Sequence, residues 1–311
     1  MLALYIAIPI LVLFALALLL LYLVFRKTFY MSDKAKRNTD IYDLPPGVPK
    51  GDPVMTKLIR DFAERPYEQI TITARDGTRL CARYHHVKDG APLEILCHGY
   101  RGTGLRDLCG CNPLALELSH NTLLIDQRSA GGSSANVITF GIRERFDIID
   151  WVNYAVDRFG DIPIFLIGIS MGGASVLMAS GEELPDAVRG IIADCAYSAP
   201  ADIIKSVITM MHLPPRPAYL LVRAAARLFG GFSLSECTAL DAITRARVPI
   251  LLLHGECDRL VPCEMSRLLE KAAGGRAVLH TFPGADHGMS CMSDPERHKK
   301  ILFDFFADCL S

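Results

Sequence analysis

The chain has 311 residues, half of them apolar (50%) and 22% charged, which excludes a disordered chain and, outside one uncharged segment, a multi-span membrane protein. Lys and Arg number 33 against 34 Asp and Glu, so the net charge of −1 supplies no general field for nucleic acid, and none is expected as a partner. Ten cysteines show no regular framework and read as reduced, buried apolar residues.

The first element runs from Leu2 to Phe25 without a charged residue. As a helix it would extend about 36 Å, enough to cross a hydrocarbon core of about 30 Å. A cleaved signal peptide would carry a basic start, a shorter apolar core and a small-residue cleavage site. No Lys or Arg precedes Phe25, whereas Arg26 and Lys27 follow it at once, so residues 1–25 are expected to be a retained single-pass anchor and membrane lipid a partner. Arg26, Lys27, Lys34, Lys36 and Arg37 form a basic flank that should stay cytoplasmic, and the rest of the chain with it. Residues 26–66, with Pro45, Pro46, Gly47, Pro49, Gly51 and Pro53, read as an extended juxtamembrane spacer.

The globular domain is expected over 67–311. It opens with an antiparallel hairpin, because Gln69 to Ala74 and Leu80 to Tyr84 flank an Asp76-Gly77 turn. Strand-sized apolar runs follow at Leu93–Cys97, Thr122–Ile125, Ile164–Ile167, Gly190–Ala193, Pro249–Leu253 and Ala277–Thr281. Between them Phe146, Ile149, Val152, Val156 and Phe159 recur at helical spacing up to Gly160, Met265–Ala273 forms a second helix, and Pro295–Cys309 a last one. Buried strands alternating with helices predict an α/β fold, a mostly parallel eight-stranded sheet covered on both faces. About fifty residues separate the strands at Ala193 and Pro249, more than one crossover needs, and a helical cap over about 199–246 is expected there, with helices at Asp202–His212 and Pro217–Phe229.

Chemistry concentrates at strand ends. Ile164 to Ile167 runs into Gly168-Ile169-Ser170-Met171-Gly172, a Gly-x-Ser-x-Gly turn between a strand and a helix, where small neighbours let the backbone fold back and expose the serine hydroxyl. A serine is a weak nucleophile at neutral pH and needs a histidine to take its proton and an acid to orient that histidine. Asp258 lies 88 residues after Ser170, beyond the strand that ends at Leu253, and His287 follows 29 residues later. Asp194 at the preceding strand end is the rival acid, and Asp286 reads as a loop residue. His98 and His254, each before a glycine, read as hydrogen-bonded structural histidines, and His120, His212, His280 and His298 have no motif support. Cys109 and Cys111, or His85 and His86, lack the second pair that a structural zinc site needs, so neither a metal nor a cofactor is expected.

These features together resemble the α/β-hydrolase family over roughly 67–309, in particular its membrane-anchored, serine-aminopeptidase-like bacterial branch. Cys97-His98-Gly99-Tyr100 looks like the family's His-Gly turn after the third strand, and Asp126-Gln127-Arg128-Ser129-Ala130-Gly131-Gly132-Ser133 like its Asp-x-Arg-Gly-x-Gly-x-Ser turn, with Ser129 in place of a glycine. The resemblance implies an α/β-hydrolase fold, a Ser170, Asp258 and His287 triad, and an oxyanion hole made by the backbone N–H groups of Tyr100 and Met171. It also implies a cap that shapes the pocket. The activity expected is hydrolysis of small-molecule carboxylic esters, lipophilic or acyl, through an acyl-enzyme; an aminopeptidase-like amide hydrolase and a non-catalytic tethered binding module are the alternatives. Tyr219, Leu220, Leu221, Val222, Leu228 and Phe229, beside Arg223 and Arg227, give the second cap helix a cationic amphipathic character, which suits either a lid on the core or a contact with anionic lipid.

Overall fold

The computed structural model describes residues 2–44 and 48–311; Pro45, Pro46 and Gly47 of the expected spacer lie outside the described residues. Helix α1 spans Leu2–Thr28, three residues beyond the expected end of the anchor, with Arg26 and Lys27 in its last turn where cations offset the helix dipole. From Ala7 to Thr28 it is long and apolar enough to cross a membrane. Most of its described side chains are exposed, but its end is not: Phe25 is buried, and Phe29, just past the helix, is wholly buried edge-on to Phe140 and Phe232 at ring-centroid distances of 5.8 and 5.4 Å.

The described residues of 26–66 therefore do not form the extended spacer that the proline content suggested. Tyr30 bridges to Val137, and a short helix α2 (Asp33–Arg37) buries Lys36, whose Nζ donates to Ser133 O at 2.8 Å and Ala135 O at 3.1 Å. Helix α3 (Pro53–Ala63) starts at Asp52, whose carboxylate caps Met55 N at 2.9 Å, with Pro53 in the first turn where no N–H is needed. Met55, Ile59 and Phe62 then fall on one buried face at spacings of four and three. Pro53 marks a helix start here, and the apolar stripe after it decides the packing.

Strands β1 (Glu68–Thr73) and β2 (Arg79–His85) form the expected antiparallel hairpin, with Gly77 at φ +84 in its turn. Then follow β3 (Leu93–Cys97), two short helices α4 (Gly104–Asp107) and α5 (Cys111–Glu117), β4 (Asn121–Asp126), α6 (Glu144–Phe159), β5 (Ile164–Ile169), α7 (Met171–Ala179) and β6 (Val188–Asp194). The segment before the next strand holds α8 (Pro200–Met210), α9 (Pro215–Ala225), a π turn over Ala226–Gly230 and α10 (Ala239–Ile243). The chain closes with β7 (Ile250–Gly255), α11 (Glu264–Ala272), β8 (Ala277–Phe282), α12 (Ser290–Ser293) and α13 (Pro295–Leu310). Helices α8 and α9 start two residues earlier than expected because Pro200 and Pro215 occupy their first turns rather than interrupting them. They end earlier too, and the second gives way to the π turn, stopped by Gly231 at φ +66.

The eight strands lie in the order β1-β2-β4-β3-β5-β6-β7-β8; β2 runs antiparallel to both neighbours and every other pair is parallel. Alternation along the strands feeds two cores. Leu93, Ile95 and Cys97 of β3 face α6, α7 and the end of α1, while Leu96 faces Phe62, Leu302 and Phe306 on the opposite side. With both faces covered, every residue of β3 is buried. The carboxyl ends of β3, β5, β6 and β7 open on one edge of the sheet, and the loops that leave them carry the polar residues singled out above.

Candidate active site

The turn after β5 is sterically committed. Ser170 has φ +54 and ψ −116, and its N–H donates to Asp194 O at 2.8 Å. A non-glycine residue tolerates that backbone only where its surroundings hold it there. The two flanking glycines supply the room: a Cβ on Gly168 would stand 2.3 Å from the Gly172 backbone, and one on Gly172 would stand 2.0 Å from Cys97 O. The result lifts the Ser170 side chain off the sheet edge at the head of α7.

The structure brings Ser170, His287 and Asp258 into one hydrogen-bonded line. Ser170 Oγ lies 2.9 Å from His287 Nε2, and His287 Nδ1 lies 2.7 Å from Asp258 Oδ2. With a carboxylate at Nδ1 the proton belongs there, which leaves Nε2 free to accept from the serine hydroxyl. Asp258 Oδ1 accepts the N–H groups of Leu260 at 2.9 Å and Val261 at 2.8 Å. Burial alone would raise this carboxyl, but the bonds to His254, His287 and Val261 hold it down at about 2. His254 is fixed between Ser266 Oγ and Val261 O, and His98 between Gly99 O and Gln127 N, so both are structural histidines. Asp286 ties the two loops together, accepting from Arg259 N at 3.1 Å and His287 N at 2.8 Å.

Asp194 is occupied elsewhere. Its Oδ1 accepts from Ser290 Oγ at 2.9 Å, and burial pushes the carboxyl up to about 6, helped by the nearby Asp258 charge. A group that resists ionisation is poorly suited to orient and stabilise an imidazolium. Tyr100 follows the end of β3, and Met171 opens α7. Gly99 packs against Ser170, where an added Cβ would come within 3.5 Å of the Ser170 Cβ. Among the described residues no acceptor takes up the N–H of Tyr100 or of Met171.

Three features escaped sequence reasoning. Cys195, at φ +45 and fully buried, sets its Sγ 3.9 Å from His287 Nε2, and no motif marks it. Cys195, Asp258 and His287 place one ligand-type atom each within 4.8 Å of one another, but His287 already spans Ser170 and Asp258, so the group is that hydrogen-bonded line with a thiol beside it. Ser290 supports Asp194 from the start of α12, a short helix that carries no signature. Finally, Ser129 fits its turn because its own φ is not positive; the left-handed position is Gly131, at φ +46, where a Cβ would meet the Asp126 carboxylate at 2.2 Å.

Residues 95–298 match the family model described as alpha/beta hydrolase, a span that takes in Tyr100, Ser170, Asp258 and His287. The chain belongs to the alpha/beta hydrolase family. Among curated relatives of this hydrolase, the Escherichia coli protein YfhR is 24% identical over 254 residues, covering 78% of this chain and 82% of its own length. The Schizosaccharomyces pombe protein bem46 is 23% identical over 276 residues, 85% and 84% of the two chains. Among solved structures, an esterase of Pyrococcus furiosus superposes with a TM-score of 0.65 at 21% identity, over 85% of this hydrolase and 97% of that chain. Est1E of Butyrivibrio proteoclasticus, solved with ferulic acid bound, gives 0.60 at 23% identity over 76% and 99%. At these identities the superpositions establish the shared fold.

Proposed function

We propose that this hydrolase cleaves carboxylic esters through an acyl-enzyme, and that the line Ser170–His287–Asp258 carries the reaction. The single observation behind the reading is that line, with its serine at the head of a helix and its acid held ionised. Ser170 Oγ attacks the ester carbonyl while His287 Nε2 takes its proton, and Asp258 stabilises the imidazolium that forms. The tetrahedral oxyanion is received by the N–H groups of Tyr100 and Met171. His287 then gives its proton to the departing alkoxide, and the cycle repeats with water, releasing the carboxylic acid. Relatives whose names include esterase lend this reading its choice of ester over amide. Membership of an anchored, aminopeptidase-like branch is part of the same proposal, and aminopeptidase-like amide hydrolysis is its alternative, separated from it by comparing an aminoacyl amide with a matched ester.

The proposal extends to the membrane. Residues 1–25 are its anchor, the domain that follows faces the cytosol, and the cap rests on the leaflet. Leu220, Leu221, Leu228 and Phe229 are exposed beside Arg223 and Arg227, and α9 with its π turn lies against the lower part of α1, where Tyr22 meets Phe229 at 5.4 Å. A cap continuous with a spanning helix would sit in the interfacial layer and favour lipophilic substrates. Lys36, expected in the basic flank, is instead folded into the domain, which leaves Arg26, Lys27, Lys34 and Arg37 exposed for headgroups.

The test uses the full chain in detergent micelles, because Phe25 and Phe29 belong to the core. Fluorophosphonate labelling and turnover of p-nitrophenyl esters of increasing chain length should both vanish in Ser170→Ala. Folded wild-type protein that neither labels nor turns over any ester would establish the binding-module alternative instead.

A further inference from the structure

The last carbonyls of a helix have no partner within it. In α1 two of them are taken by adjacent residues of the loop after β3. Tyr100 Oη donates to Thr28 O at 2.8 Å, and Arg101 Nη2 donates to Lys27 O at 2.8 Å and to Tyr30 O at 3.2 Å. The guanidinium also sets a positive charge at the negative end of the helix dipole. The Tyr100 ring stacks on Phe140 with centroids 5.3 Å apart, and Phe140 meets Phe29. Outside the rings, Ile138 N donates to Phe29 O at 2.7 Å and Met31 N to Asn136 O at 2.8 Å. Tyr100 is thus held by ring and hydroxyl alike to the segment that leaves α1.

The backbone between these contacts is a tight turn. Gly102 N donates to Gly99 O at 3.1 Å, Gly99 N to Asp107 Oδ2 at 2.9 Å, and Arg101 stands at φ +53, a conformation that an arginine keeps when its side chain is anchored. The N–H of Tyr100 lies inside this turn and faces no acceptor among the described residues.

We propose that the carboxyl end of α1 positions the oxyanion turn: the grip of Tyr100 and Arg101 on Lys27 and Thr28 fixes the direction of the Tyr100 N–H, so the N-terminal helix sets the rate of the chemical step. The proposal rests on the acyl-enzyme reading above. Arg101 touches no reacting atom and acts as a positioning residue, through its neighbour. A donor turned a few tens of degrees from the oxyanion loses its advantage in the transition state while the ground state is bound as before.

The experiment compares full-length Tyr100→Phe, Arg101→Gln and the double variant, with Arg101→Lys as the conservative change. Phenylalanine keeps both the N–H and the ring stack and removes the hydroxyl alone. The double variant should lose about 10- to 100-fold in kcat with KM changed less than about threefold, and its affinity for a trifluoromethyl ketone, which mimics the tetrahedral oxyanion, should fall in parallel. Arg101→Lys should recover a large part of the loss. Amide hydrogen exchange supplies a readout that needs no turnover: residues 99–103 should exchange at least tenfold faster in the double variant while β3 and α7 stay protected. A kcat within twofold of wild type, or unchanged exchange at 99–103, overturns the proposal. If Ser170→Ala keeps full turnover, the acyl-enzyme reading is what fails, and the exchange result still decides whether the helix end holds the turn.

Discussion

Two carboxylates stand at neighbouring strand ends, Asp258 buried and Asp194 partly buried, and their surroundings push them in opposite directions. Asp258 is held down at about 2 and Asp194 is raised to about 6. Asp258→Asn should cost about 10⁴-fold in kcat, because an amide fixes the wrong histidine tautomer, while Asp194→Asn should leave kcat within about threefold. Steady-state rates on one p-nitrophenyl ester check both, and the reverse order would exchange the roles. The same pair predicts opposite pH effects on stability. Asp258, lowered from 3.8, contributes stability that is complete above about pH 4 and is lost as pH falls through 2. Asp194, raised from 3.8, binds its proton more tightly when folded, so its contribution declines as pH rises from about 4 to 6. Asp194→Asn should remove that decline. Its melting temperature should gain on wild type between pH 4 and pH 7 by the equivalent of about 1–2 kcal/mol, the full shift being reduced for the solvent that the residue still sees. Which acid faces the histidine was legible from chain order and strand ends; the thiol of Cys195 beside His287 was not, since nothing in the residues around it marks a contact made across 92 positions.

Among the elements, the six parallel strands were readable because each is a short apolar run, and in β3 to β7 burial on both faces leaves no other use for such runs. The segment before the domain was not, since its prolines and glycines cluster between Pro45 and Pro53 while its packing is decided by Phe29, Met55, Ile59 and Phe62. Phe29→Ala empties a site with no solvent exposure and should cost about 3–5 kcal/mol, read from a thermal melt of the full chain in micelles. A loss below about 1 kcal/mol would mean that the helix end merely touches the domain. Sheet order lay beyond composition as well: β4 stands between β2 and β3, a long-range pairing that local patterns do not encode. The cap shows a further limit, because Arg223 and Arg227 are four apart in sequence, yet the π turn begins between them and alters their relative direction.

At the scale of the whole molecule the basic flank after α1 predicts a cytosolic domain. Cys257 is exposed and offers a test in sealed bacterial vesicles. A membrane-impermeant maleimide should label it in inside-out vesicles and not in right-side-out ones, with Cys257→Ser as the control; the opposite pattern would reverse the orientation. The buried end of α1 has a mechanical consequence. An ordinary spanning helix adapts to a thinner or thicker bilayer by leaning independently of what it carries. Here the final turn is packed into the domain through Phe25 and Phe29, so under the proposed anchoring any lean of the helix would swing the domain with it. Bilayer thickness would then set the angle at which the sheet edge that carries Ser170 meets the headgroups, and lipid composition alone would alter which esters reach it.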